Sequence, residues 1–477
     1  MRNRDGKAGI VILILAVIIL IAAVPWYFII AGNLESGGLN LFGPRETEEQ
    51  AQEPVPPPEE EPEPPPEEEP EPPPEEEPEP PPVHVLPHED IVTDIGTISA
   101  ETHRELTELS SRINAMAVSL VLFDGDTGEY YTFEHGYANA EERQPVSTDT
   151  KFRVASLAKL TTVICAMALV DEGLIDLDTD ISIYLGYEVM NVHHPGTAIT
   201  ARMLMQHNSS IFDSGAFTVS RDRNTSESVR FLLDRGTSFR RNEPGTNFEY
   251  SNFGYAVLGA ICENVSGRSL DTLARDVLFR PLGIDAAYVA ENLSDTGSIA
   301  VIYNETHVVT RSVLSQLAVT ESGALGDDVH LAQGNLTISM IDYARVLTML
   351  GNGGVLHGVR ILSQEAVREM HEANVEGDGY EQGLGTRFST GGFITGEGFF
   401  WHTGSGYGLL SQYICSAATT DNRGAVVVVT GAISGRESNG MITICNDLSR
   451  LAWNIWDIID EVPGEDETNS EDEVDGD

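Results

Sequence analysis

Ser156 and Lys159 form a Ser-x-x-Lys pair that places a possible nucleophile beside a possible base. The chain contains only three lysines, Lys7, Lys151 and Lys159, so this spacing carries more weight here than in a lysine-rich chain. Residues three apart share a face of a helix, which lets the lysine amine reach the serine hydroxyl. A neutral amine can accept the serine proton, so the pair predicts acyl transfer through a serine nucleophile.

The residues after this pair predict the element that positions it. Apolar residues recur at helical spacing from 160 to 174, and the pattern ends at Gly173, so Ser156 is expected to open a buried helix. The positive end of the helix dipole favours the neutral form of Lys159. The sequence therefore predicts a serine that is activated by a neighbouring amine.

Two later segments carry further candidate groups. A Tyr-Ser-Asn triplet at 250–252 precedes an apolar helix, and residues 402–405, His-Thr-Gly-Ser, precede the last strands. Each also has a structural interpretation: Tyr250 as a core tyrosine, Asn252 as a helix N-cap, and the Thr-Gly pair as a turn. Those interpretations require three independent coincidences in one chain, which favours a shared catalytic role.

The elements that position these groups are strands at both ends of a domain and helices in the middle. The Asp-Gly-Asp-Thr-Gly stretch at 124–128 indicates a hairpin turn. We predict a mixed α/β fold of the α+β type: an antiparallel sheet flanked by helices, plus a helical lobe, with a cleft between them. The predicted elements are a helix at 100–112, strands at 117–123, 129–133, 409–416 and 425–430, a helical region at 160–385 and a helix at 441–459.

Taken in order, Ser156-x-x-Lys159, the triplet 250–252 and His402-Thr403-Gly404 resemble the three signatures of the serine penicillin-recognising hydrolases. The nearest branch contains class C β-lactamases, D,D-carboxypeptidases and carboxylesterases. The resemblance covers nearly all of residues 115–458. It implies a β-lactamase/penicillin-binding-protein-like fold and no cofactor.

Carried over to this chain, the resemblance implies that Ser156 is the acyl-accepting nucleophile and that Lys159 accepts its proton or orients it. Tyr250 would carry protons between Ser156 and the leaving group, and Asn252 would hold Lys159 and a substrate carbonyl. The backbone amides of Ser156 and Ser405 would form the oxyanion hole. Which of Lys159 and Tyr250 is the base in acylation stays open.

The third signature departs from the family pattern at His402, where many relatives carry lysine. Beside it, Thr403 and Gly404 are expected to bind substrate. Because a histidine is only partly charged near neutral pH, it would hold a substrate carboxylate weakly, which favours peptidase or esterase activity over β-lactamase activity. Arg387 is a candidate for the missing positive charge. Residues 206–210 replace a more usual Thr-His-Thr-Ser-Gly, which puts the geometry of the following loop in question.

The charge of the chain excludes one class of partner. Asp and Glu number 75 against 28 Lys and Arg, a formal net charge of -47. A phosphate backbone would be repelled, so we predict no nucleic-acid partner.

The first 96 residues predict a membrane anchor followed by a spacer. Residues 10–31 form an apolar run of about 33 Å as a helix, enough to cross a bilayer, although a cleaved signal peptide is the alternative. Basic residues precede the run, which predicts a cytoplasmic segment at 1–9 and an extracytoplasmic remainder at the cell membrane. Residues 32–96 include a Pro/Glu repeat that predicts a stiff spacer, 97–459 the hydrolase domain, and 460–477 a disordered acidic tail.

Cysteines and histidines offer weaker signals. Cys165 and Cys262 lie on apolar helical faces and are expected to be free, whereas Cys415 and Cys445 could pair if the last helix packs on the sheet. The histidines at 84, 88, 193 and 194 lack acidic or cysteine companions at ligand spacing. We predict no metal.

These observations predict a membrane-anchored extracytoplasmic serine hydrolase of D,D-carboxypeptidase or esterase type, acting on cell-envelope peptides or small esters. The alternatives are a β-lactamase, or a catalytically silent protein that binds penicillin or peptidoglycan in the same cleft. A silent site would be expected to have lost one of Ser156, Lys159, Tyr250 and Asn252. All four are present.

Overall fold

The computed structural model describes residues 94–96, 98–214, 217, 228–321, 323–390, 398–417 and 422–461, all of which fall within the unit Pro80–Asp477. The predicted cytoplasmic segment, membrane anchor, most of the spacer and most of the acidic tail lie outside these residues. Among the described residues, no helix combines the length and the apolar character needed to span a bilayer.

The central element of the described residues is a ten-stranded sheet with the order β1-β3-β2-β16-β15-β14-β13-β12-β11, to which β4 adds beside β3. The pair β1–β3 is parallel and the other pairs of this sheet are antiparallel. Its strands are β1 (Asp94–Gly96), β2 (Ala117–Asp124), β3 (Glu129–Asn139), β4 (Gln144–Pro145), β11 (Val375–Glu376), β12 (Glu381–Gln382), β13 (Arg387–Ser389), β14 (Phe399–Gly406), β15 (Leu409–Ser416) and β16 (Arg423–Thr430).

The two ends of the domain meet in this sheet because β2 pairs with β16 along its full length, from Ala117 opposite Thr430 to Asp124 opposite Arg423. Shorter strands pair in twos elsewhere. These are β5 (Lys151–Arg153) with β8 (Thr337–Ser339), β6 (Ile302–Tyr303) with β7 (Val309–Arg311), and β9 (Val355–Leu356) with β10 (Val359–Arg360).

Helices cover the sheet and form the lobe beside it. They are α1 (Ala100–Arg112), α2 (Ala158–Asp171), α3 (Ser182–Leu185), α4 (Ala201–Met205), α5 (Val229–Asp234), α6 (Asn252–Ser266), α7 (Leu270–Ala274), α8 (Val313–Leu317), α9 (Leu331–Gly334), α10 (Met340–Gly351), α11 (Gln364–His371) and α12 (Thr443–Glu461). Helix α1 shows how such a helix starts: the Ser99 side chain accepts a hydrogen bond from Thr102 N, which satisfies one free amide of the first turn.

Successive residues of each strand point to opposite faces of the sheet, which creates two apolar cores. On β16, Val427 and Val429 pack in one core with α1 and α12. Val426 and Val428 pack in the other core, with α2, α6 and α10 of the helical lobe. The sheet is therefore buried on both sides.

The predicted fold class is confirmed. The first helix has the predicted bounds, and β15 spans the predicted 409–416. Strand β3 is longer than predicted, and β1 extends the sheet three residues into the range assigned to the spacer. The last helix runs to Glu461, two residues beyond the predicted end.

The possible disulfide between Cys415 and Cys445 is not formed, and all four cysteines are free thiols. Cys445 belongs to the core under α1 and α12, whereas Cys415 packs against the core of the helical lobe. The sheet lies between the two sulfur atoms. The packing of the last helix on the sheet was predicted correctly. The side chain of Cys415, however, lies on the face of the sheet opposite that helix.

Candidate active site

Ser156 lies in a single 3₁₀ turn, Ala155–Leu157, that leads directly into α2. The residue before it, Ala155, has a φ of 49°, in the left-handed region that costs a non-glycine residue about 1 kcal/mol. The following helix is apolar on all sides and almost entirely buried, so it fixes the turn against the core. Ser156 itself is partly exposed and lines a cleft.

Lys159 is fully buried, and three groups surround its amine. Its Nζ lies 2.6 Å from Gln333 O, 2.8 Å from Asn252 Oδ1 and 3.3 Å from Ser156 Oγ. Two of these groups, the Gln333 carbonyl and the Asn252 amide oxygen, only accept hydrogen bonds, whereas the Ser156 hydroxyl can also donate one. A neutral amine has two N–H groups for the two acceptors and a lone pair for the serine hydroxyl. The contacts of Lys159 are therefore those that a base for Ser156 would need.

Burial lowers the pKa of Lys159, because removing the amine from water disfavours its charged form. Tyr250 and Asp213 oppose this effect and raise the pKa, while Arg387 lowers it further. Burial is the largest of these effects. Desolvation thus shifts Lys159 towards the neutral form that the sequence predicts.

Asn252 begins helix α6, and Asp213 holds it in place. The Asp213 carboxylate accepts hydrogen bonds from Asn252 Nδ2 at 2.7 Å and from Phe253 N at 2.8 Å. The helix N-cap is Ser251, whose Oγ accepts from Gly254 N at 2.9 Å. A carboxylate at the N-terminus of a helix is stabilised by the free amides there. Asp213 therefore orients the amide that contacts Lys159.

Tyr250 lines the cleft, and its ring packs against the buried ring of His207. The ring centres of Tyr250 and His207 are 4.4 Å apart, and Lys159 Nζ lies 5.0 Å from the Tyr250 ring centre. His207 Nδ1 accepts a hydrogen bond from Ser251 N at 3.1 Å, so the proton of the neutral ring lies on Nε2. Burial lowers the pKa of His207 well below its usual value, which keeps the ring neutral. His207 thus holds the Tyr-Ser-Asn segment in place through its contacts with Tyr250 and Ser251.

Strand β14 passes close to Ser156 and supplies Thr403 and Ser405 to the cleft. Gly404 permits this approach. A Cβ atom at Gly404 would lie 2.5 Å from Val154 O and 3.1 Å from Ser156 N, distances too short for any other residue. The backbone amides of Ser156 and Ser405, predicted to form the oxyanion hole, therefore belong to adjacent segments of one cleft.

His402 does not line the cleft, which corrects the expectation that it contacts a substrate carboxylate. It is buried, and its Nδ1 lies 2.8 Å from Thr403 O. Burial, together with Arg387 and Lys159, lowers the pKa of His402 well below its usual value, so the ring is neutral. His402 lies on the face of the sheet that packs against the helical lobe, in register with Tyr413 and Val426, and its ring centre is 6.4 Å from that of Tyr250.

Two arginines bring positive charge to the cleft beside Thr403. The guanidinium carbon of Arg387 lies 4.5 Å from the ring centre of Tyr380 and 5.0 Å from that of Trp401. Arg436 Nη1 donates to Thr403 Oγ1 at 3.4 Å and to Gly440 O at 2.7 Å. Arg387, the candidate in the sequence for this charge, lines the cleft. Arg436 was not predicted.

The cleft has a volume of about 730 Å³ and contains the predicted groups except His402, Gly404 and the buried Lys159. Its lining contains Ser156 together with Thr403, Ser405 and Gly406 of strand β14. The residues that line it are Arg153, Ala155, Ser156, Phe248, Tyr250, Asn252, Gln333, Gly334, Asp378, Tyr380, Arg387, Thr403, Ser405, Gly406, Tyr407, Arg436, Glu437, Ser438, Asn439 and Gly440.

Comparison with known proteins agrees with this arrangement. The sequence pattern of the Beta-lactamase family matches residues 111–443, which contain every residue that lines the cleft. This chain belongs to the beta-lactamase family. The resemblance inferred from the three signatures is thereby confirmed.

Penicillin-binding protein 4 of Amycolatopsis lactamdurans is 28% identical over 270 residues, which cover 54% of this chain and 65% of that protein. Penicillin-binding protein 4* of Bacillus subtilis is 29% identical over 171 residues, 35% of this chain and 36% of that protein. The chain thus spans between one third and two thirds of the length of these relatives. D-amino acid amidase from Ochrobactrum anthropi shares the fold with a TM-score of 0.59 at 19% identity, over 76% of this chain and 98% of that one.

Sequence reasoning missed three groups that the structure places around Lys159. Gln333 contributes through its backbone carbonyl, which no side-chain pattern can reveal. Asp213 lies in the loop beyond residues 206–210, where no spacing relates it to Asn252. His207 was noticed only as part of an altered loop, and its φ of 57° marks it as a residue in an unusual backbone conformation.

Proposed function

We propose that this chain is a serine hydrolase that forms an acyl-enzyme on Ser156 and acts on small substrates whose leaving group carries a carboxylate. The proposal rests on the contacts of the Lys159 amine. Gln333 O and Asn252 Oδ1 can accept the two N–H groups of a neutral amine, which leaves its lone pair for the Ser156 hydroxyl. Among such substrates, D-amino-acid peptides of D,D-carboxypeptidase type fit best. Residues 10–31 would anchor the protein, with the domain outside the cell membrane.

The reaction follows from the positions of these groups. Ser156 Oγ attacks the acyl carbon as its proton passes to Lys159, and the developing oxyanion is held by the amides of Ser156 and Ser405. The proton reaches the leaving group through Tyr250, and the bond to the leaving group breaks. A water molecule then attacks the ester on Ser156, gives up a proton to the same groups, and releases the acid and the free serine.

The carboxylate of the leaving group would bind at Arg387, Arg436 and the Thr403 hydroxyl. A guanidinium forms two parallel hydrogen bonds with a carboxylate, and two of them in a partly buried cleft make an effective anion site. Stacking against Tyr380 holds Arg387 in place, so less side-chain entropy is lost on binding. Arg387 and Arg436 would therefore provide the carboxylate binding that a histidine at 402 was expected to provide only weakly.

A direct test compares three substrates with the full-length protein in parallel: a D-alanyl-D-alanine peptide, an activated uncharged ester and a fluorescent penicillin. We expect turnover of the peptide, with acylation on the peptide fragment that contains Ser156. Ser156→Ala should abolish labelling, and Lys159→Ala should reduce turnover by about 10³-fold or more. Labelling that survives in Ser156→Ala would refute the mechanism.

A second candidate is β-lactam binding, because a penicillin also carries a carboxylate and the relatives include proteins named penicillin-binding proteins. In that case the penicillin would acylate Ser156 and leave slowly. Turnover of the D-alanyl-D-alanine peptide separates the two candidates, because a protein that only binds β-lactams would be acylated by the penicillin and leave the peptide intact. Loss of the fluorescent label from Ser156 within seconds would instead indicate a β-lactamase.

The predicted location has its own test. Protease added to intact cells should release a soluble fragment that begins between about residues 33 and 96, because a Pro/Glu-rich repeat cannot form a packed core and would be accessible outside the cell. A domain that is protected until the cells are lysed would contradict the predicted orientation.

A further inference from the structure

Arg387 is a buried cation in the lining of the cleft, and the described part of the chain provides no anion for it. The residue is 8% exposed, its Nε has no hydrogen-bond partner, and its guanidinium has no ion-pair partner among the described residues. Its described neighbours are aromatic rings, including that of Tyr250, whose centre lies 5.7 Å from the guanidinium carbon. Leaving buried polar groups unpaired costs free energy, so an anion that binds here would gain hydrogen bonds that the folded chain leaves unmade.

Asp378 brings a negative charge to the same end of the cleft. It lines the cleft together with Tyr380, its side chain is exposed, and no described residue forms a hydrogen bond or an ion pair with its carboxylate. Burial raises the pKa of the Tyr380 hydroxyl, Arg387 lowers it and Asp378 raises it, so both charges lie near this hydroxyl. This end of the cleft thus presents a cation and an anion side by side, and neither neutralises the other.

The turn between β11 and β12 fixes the position of Asp378, which lies between two glycines. Gly377 N donates to Tyr380 O at 2.9 Å and closes the turn. A Cβ atom at Gly377 would lie 2.7 Å from the Tyr380 ring, so the ring packs on the turn only because this residue is glycine. Gly379 has a φ of 84°, in the left-handed region. The carboxylate is therefore held at the cleft by a defined turn.

The space beyond Asp378 suits a positive group. A second cavity, of about 440 Å³, shares Phe248 and Asp378 with the cleft. The rest of its described lining adds the carboxylate of Glu376 and contains no lysine, arginine or histidine. The formal net charge of -47 also attracts cations to the molecule. A cationic side chain that extends past Asp378 would therefore meet a favourable potential, whereas an anionic one would be repelled.

We propose that Asp378 is a specificity-determining residue that binds a cationic group on the leaving group, beside the carboxylate held by Arg387 and Arg436. The inference rests on the proposed function, because binding of that carboxylate fixes where the rest of the leaving group lies. The favoured leaving group is a D-amino acid whose side chain ends in an ammonium group, such as D-lysine.

The test compares N-acetyl-D-alanyl-D-lysine with N-acetyl-D-alanyl-D-norleucine as substrates of the full chain in detergent. The two leaving groups have similar side chains, and the lysine side chain alone carries a charge. We expect kcat/KM to be about fivefold higher for the lysine peptide, which corresponds to a favourable exposed ion pair. Asp378→Asn keeps the shape of the side chain and suits a turn, and it should lower this ratio to less than about twofold.

Asp126→Asn is a matched control. Asp126 is also an exposed aspartate in a hairpin turn, the one between β2 and β3, but it does not line the cleft. The ratio should stay at the wild-type value in this variant. A ratio near one in the wild type, or an equal fall in both variants, would overturn the role of Asp378.

A binding measurement separates failure of this inference from failure of the proposed function. Both peptides are titrated by calorimetry into Ser156→Ala and into the double variant that also carries Asp378→Asn, which requires no turnover. Tighter binding of the lysine peptide that the second change removes supports the role of Asp378 even if neither peptide is hydrolysed. Equal affinities, or a preference that the second change leaves intact, contradict it, while hydrolysis of both peptides through Ser156 would leave the proposed function standing.

Discussion

Asp213 accepts a 2.7 Å hydrogen bond from Nδ2 of Asn252, and this contact decides which end of the Asn252 amide faces Lys159. With Nδ2 turned towards the carboxylate, Oδ1 points to the amine of Lys159 at 2.8 Å. A reversed amide would present N–H groups to the amine and compete for its lone pair. Asp213 is therefore a positioning residue for the base.

Removing this carboxylate should impair chemistry more than binding. In Asp213→Ala the Asn252 amide is free to reverse, and Phe253 N loses its acceptor, so we expect kcat to fall at least about tenfold with little change in KM. Steady-state kinetics on an activated ester measure both constants. Asp234→Ala, which removes a surface carboxylate, is the control. Equal kinetics in the two variants would contradict the positioning role.

The acidic limb of the pH–rate profile should report Lys159. Activity requires the neutral amine, so kcat/KM rises with pH as Lys159 loses its proton, at a pKa that burial lowers below the usual lysine value. Arg387 lowers this pKa further, so Arg387→Gln should move the limb to higher pH. An uncharged ester is the substrate for this measurement, because it does not need Arg387 for binding. A limb that stays in place would show that another group titrates.

His207 should tolerate asparagine better than leucine. Its φ of 57° lies in the left-handed region, which asparagine adopts readily, and an asparagine oxygen can take over the hydrogen bond from Ser251 N. Leucine strains the backbone and leaves that buried amide unpaired, at a cost of about 2 kcal/mol. Urea unfolding of both variants tests the difference. Equal stabilities would mean that the contact with Ser251 contributes little.

Glu263 should make stability depend on pH. Burial raises the pKa of this carboxyl from 4.5 to about 7, although Leu270 N and Gly326 N donate to it. The folded protein then holds a proton that the unfolded chain releases above its lower pKa. Its stabilising contribution is present below about pH 4.5 and is lost as pH rises through about 7, by up to about 3 kcal/mol.

Glu263→Gln should therefore show a flatter dependence of unfolding free energy on pH between 4.5 and 7. The constant offset caused by the lost hydrogen bond does not affect this comparison. The exposed Glu291→Gln serves as the control and should follow the wild-type curve. Parallel curves for wild type and Glu263→Gln would show that the carboxyl is ionised in the folded protein throughout this range.

Local patterns predicted the parts of the molecule that depend on local sequence. The helix at Ala100–Arg112 follows from its apolar spacing and its Ser99 cap, and the hairpin β2–β3 follows from the turn at 124–128. The order of the three signatures identified the family because each brings a short run of residues to one cleft. Contacts between distant segments were harder to predict, since Asp213 and Asn252 meet only after the loop and α6 have packed.

Side-chain direction was the other limit. The position of His402 in the third signature indicated a role at the substrate, but its ring is buried behind the residues that line the cleft, whereas Thr403 is one of those residues. Arg436 follows a strand in a loop of ordinary composition, and its approach to Thr403 depends on the loop that ends at Gly440. A single sequence contains no signal for that approach.

The four buried thiols, which lie on both sides of the sheet, determine how the domain responds to a reducing environment. Burial raises the pKa of Cys165, Cys262, Cys415 and Cys445, so few are ionised at neutral pH and exchange with external disulfides is slow. The domain relies on packing and not on covalent links between distant segments. It should therefore keep the same melting temperature with and without a reducing agent, and fold equally well when it is produced inside a cell.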